Sequence, residues 1–107
     1  MKEIALVAAA IIYFFALTSC ETIGFAPPPV TVELARTGAR QHVDTATLRE
    51  GRGLFVSRCI ECHALPEIAQ HTAPEWPRVI DEMAGRASLK PAERNAVLAY
   101  ILAARAQ

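Results

Sequence analysis

An all-α fold is the architecture this sequence predicts: a small helical domain preceded by an export segment and an extended linker. Three observations predict it. Apolar residues recur at helical spacing in two stretches, Leu48, Phe55 and Val56 in one and Val97, Tyr100, Ile101 and Ala104 in the other, and such periodicity marks amphipathic helices. Helix-starting residues stand at the head of each stretch, Asp44 or Thr45 before the first and Pro91 before the second. Between them lies Cys59-Ile60-Glu61-Cys62-His63, of the form Cys-x-x-Cys-His, the attachment signature of a c-type haem. A haem offers a large apolar surface around which few helices suffice, and a mature chain this short needs such a staple.

The N-terminus reads as an address. Met1-Lys2-Glu3 is a short polar start, and Ile4 to Leu17 is an apolar or weakly polar run. That run is short for a transmembrane helix and suits the core of a signal peptide. It ends in Leu17-Thr18-Ser19-Cys20, an aliphatic residue and two small ones before a cysteine. This tetrapeptide resembles the lipobox of bacterial lipoproteins, which implies cleavage after Ser19 and lipidation of Cys20. Residues 1–19 are then the signal peptide. Each buried methylene adds about 0.8 kcal/mol of membrane affinity, so two or three acyl chains anchor stably. The alternatives for Cys20 are an uncleaved signal anchor and an ordinary signal with a stray thiol. Glu21 does not decide between inner and outer membrane.

Residues 20–44 form the lipidated N-terminus and a proline-rich linker. Ala26-Pro27-Pro28-Pro29-Val30 predicts extended chain, because proline fixes φ and restricts its predecessor. Such a segment would tether the domain off the bilayer. Val30 to Leu34 alternates briefly like a strand, but nothing else offers a pairing partner, so extended linker on the domain surface is expected there. His42 is expected to be a solvated loop residue.

The folded domain is expected over residues 45–107. Its first helix is N-capped by Asp44 or Thr45 and runs through Leu48, Gly51 and Phe55 to Arg58. Gly51 costs up to about 1 kcal/mol there relative to alanine, and close approach of another helix explains it. At Cys59 and Cys62, each thiol can add to one haem vinyl group to form a thioether, and the adjacent His63 imidazole becomes an axial ligand. A redox dithiol would call for a βαβ context that is not visible, and a structural zinc site for four ligands including a distant one. Inert buried cysteines are the remaining alternative. The next helix spans the region of Trp76 to Met83. Thr72 with Glu75 resembles a capping box, Trp76, Val79 or Ile80, and Met83 share a face expected to cover the haem, and Gly85 is the expected C′ residue. Pro91 then opens the last helix, with Glu93 near its positive end and Arg105 near its negative end. Lys90 is a poor N-cap, which leaves the start of that helix open.

Gly51 and Phe55 stand eight and four residues before Cys59, and the last helix carries the pair Tyr100-Ile101. In these features and in Cys59-x-x-Cys62-His63, the stretch from Thr45 to Ala104 resembles the class I cytochrome c family in its short bacterial monohaem form. The resemblance implies one covalent haem c, His63 as proximal axial ligand, and terminal helices crossing closely at the glycine with the aromatics packed at the crossing. The Gly-Pro-Leu stretch that follows the haem motif in the family, and its usual methionine loop, are absent. Leu65-Pro66 holds the nearest proline.

The sixth iron ligand has three readings. Met83 is the only methionine besides Met1, and His/Met ligation raises a reduction potential. A methionine on an apolar helical face is otherwise core filler. His71 would give bis-histidine ligation and a lower potential, with a solvated loop position as its alternative. A vacant site would permit gas binding.

The three cysteines are consumed by these two motifs, Cys20 for lipid and Cys59 with Cys62 for haem. Both motifs point to the bacterial cell envelope, facing the periplasm, because covalent haem attachment in bacteria takes place outside the cytoplasmic membrane. The formal net charge is zero, and no basic stripe suggests nucleic acid. No catalytic constellation is present, so no enzyme is expected. The reading is a single-haem electron carrier whose partners are a membrane, through Cys20, and redox proteins such as an oxidoreductase subunit or terminal reductase. A haem-based ligand-binding or sensor module and a haem subunit of a larger oxidoreductase are the alternatives.

Overall fold

The structure is a computed structural model, which describes residues 1–8 and 26–107. Cys20 and most of the Ile4–Leu17 run lie outside the described residues. Residues 2–8 are helical. Among the described residues no helix is long and apolar enough to cross a membrane.

From residue 26 onward the chain is helical without strands: α1 (Val32–Arg40), α2 (Thr45–Arg58), α3 (Trp76–Arg86) and α4 (Pro91–Arg105), with single 3₁₀ turns at Cys59–Glu61 and Ile68–Gln70. The all-α expectation holds for this part of the chain.

Helix α1 corrects the extended reading of Val30 to Leu34. Thr31 caps it by accepting a hydrogen bond from Leu34 N–H at 3.2 Å, and Glu33 sits in the first turn, where the helix dipole favours an anion. Leu34, Thr37 and Gly38 are buried along one face. Gly38 lets α1 approach α2 so closely that a Cβ there would lie 2.5 Å from Leu48 Cδ1. The helix ends in a Schellman turn: His42 N–H donates to Ala39 O at 3.0 Å and Val43 N–H to Gly38 O at 2.9 Å. His42 takes the left-handed position, with φ at 61°, and is exposed as expected.

Asp44 is the N-cap of α2, its Oδ1 accepting from Thr47 N–H at 2.7 Å. Those bonds to Thr47 hold its carboxyl below the ordinary range. Helices α2 and α4 form the main packing of the molecule. At their crossing a Cβ on Gly51 would fall on the Ala96 carbonyl, 2.5 Å from its carbon and 3.0 Å from Tyr100 Cβ. Phe55 and Tyr100 meet there with ring centroids 6.2 Å apart. Leu34, Leu48, Val97 and Ile101 complete this core, all essentially inaccessible to solvent.

The proline segment is not a free tether throughout. Tyr100 Oη donates to Pro28 O at 2.6 Å, Arg52 Nε donates to the same carbonyl at 3.0 Å, and Arg52 also donates to Pro27 O at 3.1 Å. Residues 27 and 28 are thereby fixed to the α2–α4 crossing. Burial pushes the Tyr100 hydroxyl up to about 12.

Helix α4 starts at Pro91, with Glu93 Oε2 accepting from Lys90 N–H at 2.7 Å. Glu93 thus supplies the cap that Lys90 does not.

Candidate functional site

Helix α2 delivers the Cys-x-x-Cys-His motif at its end. Cys59 is its C-cap, Cys59–Glu61 continue as a 3₁₀ turn, and Cys62 and His63 follow. The tightened turn swings the two cysteines off the helix, Cys59 half-buried and Cys62 exposed, both free thiols. Burial pushes the Cys59 thiol up, opposed by the neighbouring Arg58 charge, so the neutral thiol is favoured near neutral pH.

Helix α3 approaches from the other side. Trp76 is fully buried and its Nε1–H donates to Ile68 O at 3.1 Å. Trp76, Ile80 and Ala84 form the buried face of the helix. Arg94 on α4 donates to Asp81 Oδ1 at 2.7 Å, fixing the middle of α3 to α4. One position around from that face, Met83 is half-buried. Thr72 and Glu75 precede the helix: Glu75 Oε2 accepts from Thr72 N–H at 2.7 Å and from its hydroxyl at 2.8 Å. The carboxylate half of the expected capping box is therefore formed, and the hydroxyl donates where a box would have it accept.

Gly85 is not the C′ residue. It lies within α3, and a Cβ there would meet nothing within 4 Å. The left-handed position falls to Ser88, with φ at 54°. Leu89 N–H then donates to Ala84 O at 3.0 Å, closing the Schellman turn, and Leu89 packs on the core.

A cavity of about 400 Å³ separates the end of α2 from the end of α3. Cys59, Cys62, His63 and Met83 all line it. Four of the residues singled out from the sequence thus share one space, two thiols and an imidazole on one segment and a thioether on another. His71 does not line it. Its ring stands edge-on to Trp76, centroids 5.0 Å apart. Trp76, Val79 and Ile80, expected to cover the haem with Met83, are also absent from the lining; the first and last are core residues.

The family models, the curated proteins and the solved structures give no match to this chain. The chemistry of the site therefore rests on its own residues.

The donor set fits a haem c. The thiols are free for two thioether bonds, and His63 Nδ1 lies 2.7 Å from Ala64 O. With Nδ1–H donating to that carbonyl, the Nε2 lone pair is left for a metal. Among the described residues no group of three or more His, Cys, Asp or Glu side chains converges to hold a metal ion, whereas a structural zinc site uses four such ligands.

Sequence reasoning missed five residues of the cavity wall: Glu61, inside the Cys-x-x-Cys-His motif itself, and Arg58, Arg86, Ala87 and Ser88. Arg58 adjoins Cys59 and was findable by adjacency. The other three enter because α3 runs past Gly85 before turning.

Proposed function

We propose that this chain is a c-type cytochrome that carries electrons through a single covalent haem. The observation that carries the reading is the sharing of one cavity by Cys59, Cys62, His63 and Met83. Cys59 and Cys62 would hold the haem by thioethers, and His63 Nε2 and Met83 Sδ would be its axial ligands. When bound, the haem supplies a one-electron ferric–ferrous couple. The chain's residues do the rest. The Ala64 carbonyl orients His63, and the α3 packing of Trp76, Ile80 and Ala84 against the core sets where Met83 can reach. A half-buried thioether in an apolar-backed wall favours a higher potential than a second imidazole would.

The lipidation of Cys20 belongs to the same reading: a lipid-anchored carrier on the periplasmic side of a bacterial membrane, exchanging electrons with an oxidoreductase subunit or terminal reductase. Its near-neutral charge gives no strong steering toward a partner.

The test is the optical spectrum of the protein purified from a host with haem-attachment machinery, beside its Met83→Ala and His71→Ala variants. The expected result is a covalent c-type haem in all three, with a methionine-to-iron charge-transfer band that Met83→Ala alone abolishes. A native protein without covalent haem overturns the reading. Loss of native ligation in His71→Ala, with Met83→Ala unchanged, overturns the ligand assignment.

A further inference from the structure

The two walls of the cavity come from helices that are each fixed to α4 and meet one another at few points. Helix α2 lies against α4 through Gly51 and Phe55. Helix α3 is fixed at its start by Trp76 and at its middle by the Asp81–Arg94 pair. Its last turn, which carries Met83, lies beyond both, with Ala84 buried beneath it and Leu89 packed on the core after it. One side chain spans from the α2 wall to that turn. Arg58 Nη2 donates to Ala87 O at 2.5 Å, a bond between residues 29 apart in sequence. Ala87 is the C-cap of α3, so its carbonyl is one of those that a helix end leaves without an intrahelical partner. Ser88, held at a φ of 54°, turns the chain immediately after it. Arg58's other polar neighbour is Glu61, at 4.0 Å from Nε. The Arg58 side chain is 35% exposed, so the bond is partly sheltered.

We propose that Arg58 is a positioning residue that clamps the methionine-bearing turn of α3 to the haem-attachment segment. The inference rests on the proposed His63/Met83 ligation. Arg58 lies directly before Cys59, so the clamp joins the thioether attachment point and the turn closed by Ala87 N–H donating to Met83 O at 2.8 Å through one side chain. A charge-assisted hydrogen bond of this kind shifts a local opening equilibrium by roughly ten-fold or more. Without it, the turn opens more often and Met83 leaves the iron exposed more often. Lysine can reach a single carbonyl but lacks the planar fork, so it restores part of the effect.

The experiment compares the full-length native protein with Arg58→Ala, Arg58→Lys and, as a control on the exposed side of α2, Arg49→Ala. Three quantities are read: the methionine-to-iron band of the ferric form, the rate of carbon monoxide binding to the ferrous form, and amide hydrogen exchange at Ala87 and Leu89. In Arg58→Ala the band is expected to weaken, carbon monoxide to bind about ten-fold faster, and the two amides to exchange about ten-fold faster. Arg58→Lys should fall between, and Arg49→Ala should match the native protein. Circular dichroism and the mass of the haem-bound chain establish that Arg58→Ala is folded and loaded. Exchange at Ala87 and Leu89 unchanged in Arg58→Ala overturns the clamp whatever the ligands are. Faster exchange with an unchanged band and carbon monoxide rate overturns its role in positioning Met83. A native protein that holds haem but lacks the band overturns Met83 ligation, and the positioning role falls with it, whereas absence of covalent haem is the separate failure of the function itself.

Discussion

Helix α2 has two sides that are held in opposite ways. Along α4 it is packed to the limit, with a backbone carbonyl occupying the space where a Gly51 side chain would stand. Toward α3 it faces a cavity of about 400 Å³, and among the described residues the side-chain hydrogen bond across that gap is Arg58 on Ala87 O. One side is specified by shape and tolerates no added atom. The other is specified by polar contacts and leaves room for a large planar group. The difference separates the two demands on a small domain. Rigidity is invested at the crossing, and the binding region is spanned by contacts that can adjust.

The sharpest way to break this contrast is at the two glycines. Gly51→Ala should destabilise the protein by about 3 kcal/mol, because overpacking here meets main chain that cannot swing aside; urea unfolding measures it. Replacing Tyr100 by Phe removes one of two donors to the Pro28 carbonyl and should cost about 1 kcal/mol. That variant also tests a pH dependence. The folded-state value of Tyr100, about 12, lies above the ordinary value near 10. Its contribution is therefore fully present below about pH 10 and is lost as pH rises toward about 12, so the native protein's stability should fall more steeply in that window than that of Tyr100→Phe. On the cavity side, Met83→Leu conserves volume and should change unfolding stability by less than about 1.5 kcal/mol, while the optical band disappears. The smallest effect, and one of opposite sign, is expected for Gly85→Ala. Its Cβ enters open space inside a helix, so stability should rise by about 0.5–1 kcal/mol. A penalty at Gly51 no larger than the one for Met83→Leu would erase the distinction between the two sides.

The crossing was legible in the sequence because its signals are local and redundant. A glycine in a helix that needs a reason, an aromatic one turn later and an aromatic–aliphatic pair near the end of the chain all describe the same contact. The cap of α2 was legible to within one residue, since Asp44 and Thr45 are both capping types, and the structure selects Asp44. Helix α1 was not. Its amphipathicity comes chiefly from Glu33, Arg36 and Arg40 on the exposed side, while its buried face of Leu34, Thr37 and Gly38 carries a single apolar side chain, so a search for an apolar stripe passed it over and the brief alternation around Val32 dominated. The turn after α3 was misread because Gly85 is the residue that usually ends a helix. The helix ends where Leu89 can reach the core, and Ser88 accepts the left-handed conformation that this requires. Of the cavity, the chemically marked residues Cys59, Cys62, His63 and Met83 were visible by type. Arg58 and the Ala87 carbonyl were not, because a hydrogen bond to main chain across 29 residues leaves no pattern in a sequence.

The grip of Arg52 and Tyr100 on the Pro27 and Pro28 carbonyls sets the length of the leash. A chain moored at residue 27 has only the stretch back to residue 20 left to pay out, and fully extended that stretch reaches no more than ~25 Å. Anything attached at Cys20 therefore stays within about one small-domain diameter of the mooring, however the intervening residues run. The residues from 28 up to the start of α1 at Val32 add nothing to that reach. With a lipid at Cys20, as proposed, a domain on so short a line would stay close to its point of attachment, and partners would have to come to it there.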